Sequence, residues 1–289
     1  MRVAVTGAGG QLGAVLVREF QSSHDVTAFP RTQLNIGDDA AVAAAMDRVQ
    51  PQLILNAAGY TDVDGSEDHP VDALNANAFG VRALARAADR HGALLVHYST
   101  DFVFDGTATR PYTEADRPNP RSVYSHSKLL GEWFALVAAR AYVLRVESLF
   151  GGVPGGPPAR GSVASILDTL LAGGSPKVFV DRTVSPTFAI DAGRATRQLV
   201  ESRAPFGIYH CVNSGNATWF EVARELARRL RIQASFTPVR FGEITLRAAR
   251  PQYCALSNEK LRAAGIDMPS WQDALSRFIP ASRPANAAR

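Results

Sequence analysis

Val3-Ala4-Val5-Thr6-Gly7-Ala8-Gly9-Gly10-Gln11-Leu12-Gly13 is the stretch from which the fold is read. Residues 3–6 form a short apolar strand that stops at Gly7. Leu12, Val15, Leu16 and Phe20 then repeat at helical spacing, which predicts a helix over residues 11–20. Glycines at 7, 10 and 13 join the two. The spacing lets the backbone turn sharply, lets a phosphate approach with no Cβ in the way, and lets the helix lie close on the sheet. The N–H groups at the helix start would face a pyrophosphate.

Outward from this unit the alternation continues. Strands are predicted at residues 26–29, 53–55, 94–98 and 142–146. Helices are predicted from Asp38 and Asp39 through Val49, over 71–90 and over 123–140. Continuous apolar strands between amphipathic helices read as a parallel sheet covered on both faces. The fold class is therefore α/β, a Rossmann-type doubly wound parallel sheet with a smaller C-terminal substrate-binding lobe. Residues 1–150 are assigned to the dinucleotide-binding domain, 151–280 to the lobe, and 281–289 to a frayed tail. Elements near 178–205 are expected to return to the first domain. Residues 151–161, with five glycines and three prolines, read as a loop or lid. Strands are expected at 178–180 and 208–212. Thr218 and Glu221 form a capping box for a helix through Leu230, and a last helix spans 271–278.

Composition narrows the classes. The 289 residues are 46% apolar and 20% charged, which is globular and long enough for a sizeable core. Apolar runs are too short to span a bilayer, and the start lacks a signal-peptide layout. Cys211 and Cys254 match no metal or redox spacing and read as reduced thiols in a cytoplasmic protein. The formal charge is +4, without a dense basic run, so neither nucleic acid nor membrane is expected as a partner. No two histidines have helix-ligand spacing, and no metal is expected. His97 reads as a core histidine and His126 as an exposed one.

An acid usually stands at the end of the second strand of such folds, where it binds the adenosine ribose. Here Pro30 and Arg31 stand there. Arginine pairs with a 2′-phosphate, which favours NADPH, with NADH still possible. Tyr124 and Lys128 are four residues apart on a predicted helix and hence share a face. Reduction of a ketone needs a proton for the developing alkoxide. Tyrosine, with a pKa of about 10, is a poor donor unless a nearby ammonium favours the phenolate. Ser99-Thr100-Asp101 follows the strand over 94–98, and a hydroxyl there can bind the substrate carbonyl.

With these residues in place, the chain resembles the extended short-chain dehydrogenases/reductases, and among them the dTDP-4-dehydrorhamnose reductase group. The matching segments are 7–13, 56–64 (NAAGYTDVD), 99–106 (STDFVFDG), 111–114 (PYTE), 119–128, 185–187 (SPT), 208–215 and Arg250-Pro251. The resemblance implies Thr100, Tyr124 and Lys128 as catalytic residues. It implies cofactor contacts at Gly10, Gln11, Leu12, Asn35, Ile36, Ala57, Ala58, Gly59 and Tyr98, besides Gly7, Gly13, Arg31, Tyr124 and Lys128. Asp101 would touch substrate.

The sequence departs from the family pattern in places. Ser125 replaces a glycine after the tyrosine. Glu147-Ser148 stands where Ser-Trp is common, which puts Ser148 near the sugar in a wider, more polar pocket. Val15 replaces a metal-binding glutamate of some relatives. Arg182 and Arg250 could clamp a substrate diphosphate or form surface ion pairs. The function implied is NADPH-dependent reduction of the 4-keto group of a nucleotide-linked deoxysugar, by a monomer or homodimer. A nucleotide-sugar epimerase or dehydratase, and a non-catalytic NADP-binding regulatory subunit, are the alternatives.

Overall fold

The computed structural model describes residues 1–202 and 204–282. Six parallel strands form the central sheet: β1 (Arg2–Thr6), β2 (Asp25–Phe29), β3 (Leu53–Asn56), β4 (Leu94–Thr100), β5 (Ala141–Val146) and β6 (Gly207–His210). Their order is β2-β1-β3-β4-β5-β6. The chain winds from β1 toward β2, then crosses back to place β3 on the other side. Strand order thus reverses beside β1, and a crevice opens there at the C-terminal strand ends.

The longer helices are α1 (Gln11–Phe20), α2 (Asp39–Val49), α3 (Gly80–His91), α4 (Val123–Ala135), α5 (Ser162–Leu171), α6 (Ala189–Glu201), α7 (Trp219–Leu230) and α8 (Trp271–Ser282). Alternate strand residues serve opposite faces. Val3, Val5, Leu53, Leu55 and Val96 pack under Leu12, Leu16 and Phe20 of α1 and Ala192, Ala195 and Leu199 of α6. Ala4, Ile54, Leu95 and Val143 pack under Val42 and Met46 of α2 and Val81, Leu84 and Ala88 of α3. Both faces are covered, so the strands need apolar residues at every position. A second cluster, with Phe150, Leu167, Trp219, Leu226, Leu275 and Phe278, joins α5, α7 and α8.

Several predicted elements are adjusted. The helix over 71–90 is three pieces: Pro70–Leu74, a π-helical turn Asn75–Phe79, and α3. The last piece starts at Gly80, where the chain passes so near Ile36 that a Cβ would lie 2.7 Å from its carbonyl oxygen. Helix 123–140 ends at Ala135. The strand at 178–180 is Lys177–Phe179, and it pairs with Thr237–Val239 outside the central sheet. The strand at 208–212 is β6, which joins the central sheet beside β5. Helix α8 passes through Pro280 to Ser282; the rest of the tail expected to fray, residues 283–289, lies outside the described residues. No helix among the described residues is long and apolar enough to cross a membrane.

Candidate functional site

The glycine turn leaves β1 with Gly7 at φ +70°, where a Cβ would sit 2.5 Å from the Ala58 nitrogen. Glycine alone allows both that backbone and that approach. The Gly7 carbonyl accepts the Gly10 N–H at 2.9 Å, and a Cβ on Gly13 would collide with the same oxygen. Gly10 caps α1 without a side-chain bond, and the first turn holds no acid. The helix start therefore keeps its N–H groups and positive dipole end for an anion. Leu12 is buried and holds α1 on the sheet. Gln11 lies under residues 151–161: its Oε1 accepts the Arg160 N–H at 3.4 Å, and its buried Nε2 has no partner.

The neighbouring strand ends complete this crevice. Arg31 is exposed in the turn after β2, next to Pro30, whose Cβ would lie 3.5 Å from a Cβ on Gly9. The exposed Asn35 accepts the Gly37 N–H at 3.2 Å, while Ile36 is buried against Gly80. Ala57 and Ala58 abut Gly7, and Gly59 abuts Asn77. A cradle that a Cβ would fill, an uncapped helix start and an exposed arginine fit a phosphorylated dinucleotide.

Thr100 ends β4, and Tyr124 and Lys128 come from one face of α4; all three are buried. The Thr100 hydroxyl donates to Asp101 Oδ1 at 2.9 Å and accepts the Phe102 N–H at 3.2 Å. It also faces the Tyr124 phenol. Burial and then the Asp101 charge push the Tyr124 phenol well up, while Thr100 opposes them. The ammonium expected to lower that phenol is aimed elsewhere: Lys128 Nζ donates to the Tyr98 carbonyl oxygen at 2.5 Å. Burial brings the Lys128 pKa down to about 8, against the pull of Glu132. Tyr98 offers this carbonyl rather than its ring, because its hydroxyl is bound to Thr196 at 2.6 Å beneath α6. Ser125, at the unusual position, closes a capping box with Ser122 at the start of α4.

Sequence reading missed three supports of the site and gave Glu147 no role beyond making the pocket more polar. Asn77, in the π-helical turn, accepts the Tyr60 N–H at 2.8 Å and donates to Ser127 on α4 at 3.0 Å. Glu67 accepts the Val123 N–H at 2.9 Å. Glu132 on α4 and Arg145 on β5 form a buried two-pronged pair at 2.8 and 2.7 Å. Glu147 is 1% exposed, and its Oε2 accepts the Ser185 N–H at 2.7 Å. Its Oε1 is buried without a partner.

Asp101, Glu147 and Cys254 lie within 4.8 Å of one another, the one such group of possible metal ligands among the described residues. The Arg182 guanidinium faces all three and supplies the positive charge there. Burial pushes the Asp101 carboxyl up to about 6, and burial with the Asp101 charge pushes Glu147 well above the carboxylate range.

Other residues take places the sequence left open. Arg250 is held by Asp64 at 2.9 and 2.8 Å, and Arg182 donates to the Pro251 carbonyl at 3.1 Å. Neither is a free clamp for a diphosphate. Ser148 is partly buried with φ +44°, and its carbonyl accepts the Thr187 N–H at 3.5 Å. Val15 is buried against Gly193 of α6. His97 is buried beside Asn56 at 3.0 Å, and His126 is exposed on α4. Both cysteines are buried and unpaired.

The probable dTDP-4,6-dihydroxy-2-methyloxan-3-one 4-ketoreductase of Streptomyces antibioticus is 36% identical, over 97% of this chain and 95% of its own. The dTDP-4-dehydrorhamnose reductase of Streptomyces griseus is 35% identical, over 97% and 93%. A crystal structure of the dTDP-4-dehydrorhamnose reductase of Bacillus anthracis, in complex with NADP, superimposes with a TM-score of 0.90 at 31% identity, covering 97% of this chain and 99% of that one. The resemblance carried by the glycine turn and the Thr100, Tyr124 and Lys128 segments thus extends over the whole fold. Residues 1–283 match the family described as the RmlD substrate binding domain, and the chain belongs to that family.

Proposed function

We propose that this protein is an NADPH-dependent reductase of the 4-keto group of a nucleotide-linked deoxysugar of the dTDP type. The observation that carries this reading is the meeting of Thr100, Tyr124 and Lys128 at the C-terminal end of β4, beside the glycine cradle. Named relatives with the same reaction support it.

When bound, the nicotinamide supplies the hydride for the keto carbon. Gly7, Gly10, Gln11, Leu12 and Gly13 would hold the pyrophosphate at the start of α1. Arg31 would pair with the 2′-phosphate; Asn35 and Ile36 would line the adenine side, and Ala57, Ala58 and Gly59 the ribose side. Lys128, itself held by the Tyr98 carbonyl, would hold the nicotinamide ribose hydroxyls. Thr100 orients the keto oxygen. Tyr124 gives its phenolic proton to the developing alkoxide, a step its raised pKa favours holding until negative charge forms. Residues 151–161, already over Gln11, exclude water. Within residues 151–280, the parts other than α6 and β6, which pack with the central sheet, serve as the substrate lobe; Asp101 and Ser148 lie on the sugar side. The buried, unpaired thiols support a reducing, cytoplasmic setting.

The test is NADPH oxidation with dTDP-linked and UDP-linked 4-keto sugars. Turnover with a dTDP-linked 4-keto sugar supports the reading. Tight NADPH binding without turnover on any of them points instead to a regulatory subunit.

A further inference from the structure

Three buried groups, Asp101, Glu147 and Cys254, meet beside Thr100 and face the half-buried Arg182. The four come from separate parts of the chain. Their charges can be counted. One guanidinium balances one carboxylate, and a second ionised carboxylate in the same dry space would be uncompensated. One of the two carboxyls is therefore a neutral acid. Glu147 is the one with an oxygen that has no partner. Asp101 is the one already engaged, as acceptor from Thr100 at 2.9 Å.

That last bond presents a difficulty for the reaction. A hydroxyl has a single hydrogen. While the Thr100 hydrogen points at Asp101, it is not available to the keto oxygen.

Resting on the reductase reading above, we infer that Glu147 is a positioning residue: one proton shared between Glu147 and Asp101 sets which way the Thr100 hydroxyl points. The O–H bond on Glu147 breaks and one on Asp101 forms. The negative charge passes from Asp101 to Glu147, and Arg182 faces both, so the cluster's net charge does not change. Asp101 then donates to Thr100 Oγ, and Thr100 turns its own hydrogen to the keto oxygen. The proton returns when product leaves, and nothing is oxidised or reduced. The two carboxyls lie within 4.8 Å, a gap that one water or a small side-chain rotation closes. Besides Arg182, the groups that face the pair are the Cys254 thiol and the Tyr124 and Tyr253 phenols. Burial pushes each of these three up, so all are neutral near pH 7 and do not compete for the charge.

Two measurements test this. Infrared spectra of the whole protein at pH 7 should show the carbonyl stretch of a neutral carboxyl. Glu147→Gln should remove it. Asp101→Asn should remove it too, because the remaining Glu147 would ionise against Arg182. This arm needs no turnover, so it stands even if no substrate is found. Persistence of the band in either variant, or its absence from the wild type, overturns the inference.

The second arm uses dTDP-4-dehydrorhamnose. Glu147→Gln keeps the shape but cannot give the proton, so turnover at pH 8 should fall about tenfold or more while NADPH affinity is kept. The deficit should shrink as pH is lowered toward 6, where solvent protonates Asp101 directly. A deficit that is constant with pH would mean that Glu147 is only structural, and would overturn the inference. Failure of the wild type to reduce this or any related sugar would instead count against the reductase reading.

Discussion

Arg145 and Glu132 share a two-pronged, fully buried ion pair, each side chain 1% exposed. It ties β5 to α4 one turn beyond Lys128. The helix that carries Tyr124 and Lys128 is thus anchored to the sheet by charge as well as by packing. The Arg145 guanidinium also lies over the Phe104 ring, at 5.0 Å from its centre.

Removing one member should leave a buried charge alone. Arg145→Met or Glu132→Gln is expected to cost roughly 3–5 kcal/mol of stability. The double replacement of both by apolar residues should recover much of that loss. Urea unfolding of the two single variants and the double variant measures the coupling.

Lys128 makes opposite predictions for stability and activity. Its folded pKa, about 8, is below its ordinary value because of burial. The folded state therefore disfavours the proton that the unfolded chain holds. Below about pH 8 this works against folding, and the penalty fades as pH rises toward about 10.5. Lys128→Met should raise stability at pH 7 by on the order of 1–3 kcal/mol, with the gain gone at alkaline pH. Activity runs the other way. The kcat/KM of the wild type should fall as pH rises through about 8 and the ammonium is lost, and Lys128→Met should be nearly inactive throughout.

Arg31 tests cofactor choice. It is exposed, in the turn that borders the glycine cradle. Arg31→Ala should weaken NADPH binding by roughly 1.5–3 kcal/mol and leave NADH nearly unchanged. Titration calorimetry with both cofactors checks this. Equal losses would make Arg31 structural.

Ser148 is held in the left-handed region, at φ +44°. A side chain there costs roughly 1 kcal/mol relative to glycine. Ser148→Gly should raise the urea midpoint slightly or leave it unchanged. Ser148→Trp, which would restore the aromatic common among relatives, should lower it, so any change in sugar preference must be read beside that cost.

What the sequence disclosed was local. Gly7, Gly10 and Gly13 announce a turn because each answers a need of its own few neighbours. Tyr124 and Lys128 share a face by helical spacing alone. Asn77 was hidden, since its stretch has ordinary helical periodicity and nothing in it marks the π-helical turn. The Asp101, Glu147, Arg182 and Cys254 cluster was hidden for another reason. Its members are far apart in the chain, and only the sheet's C-terminal edge gathers them. Arg250 drew attention as a phosphate ligand because charge is visible in sequence, whereas its pairing with Asp64, 186 residues away, is not.

The central claim is that Tyr124 delivers the proton. Single-turnover reduction of a dTDP-linked 4-keto sugar by Tyr124→Phe, with NADPH binding measured on the same sample, tests it most directly. Phenylalanine keeps the ring packed against Phe102 at 5.8 Å and removes only the hydroxyl. The account predicts unchanged NADPH affinity and a rate lower by about 10²-fold or more. A rate near that of the wild type, with the cofactor bound, would contradict it.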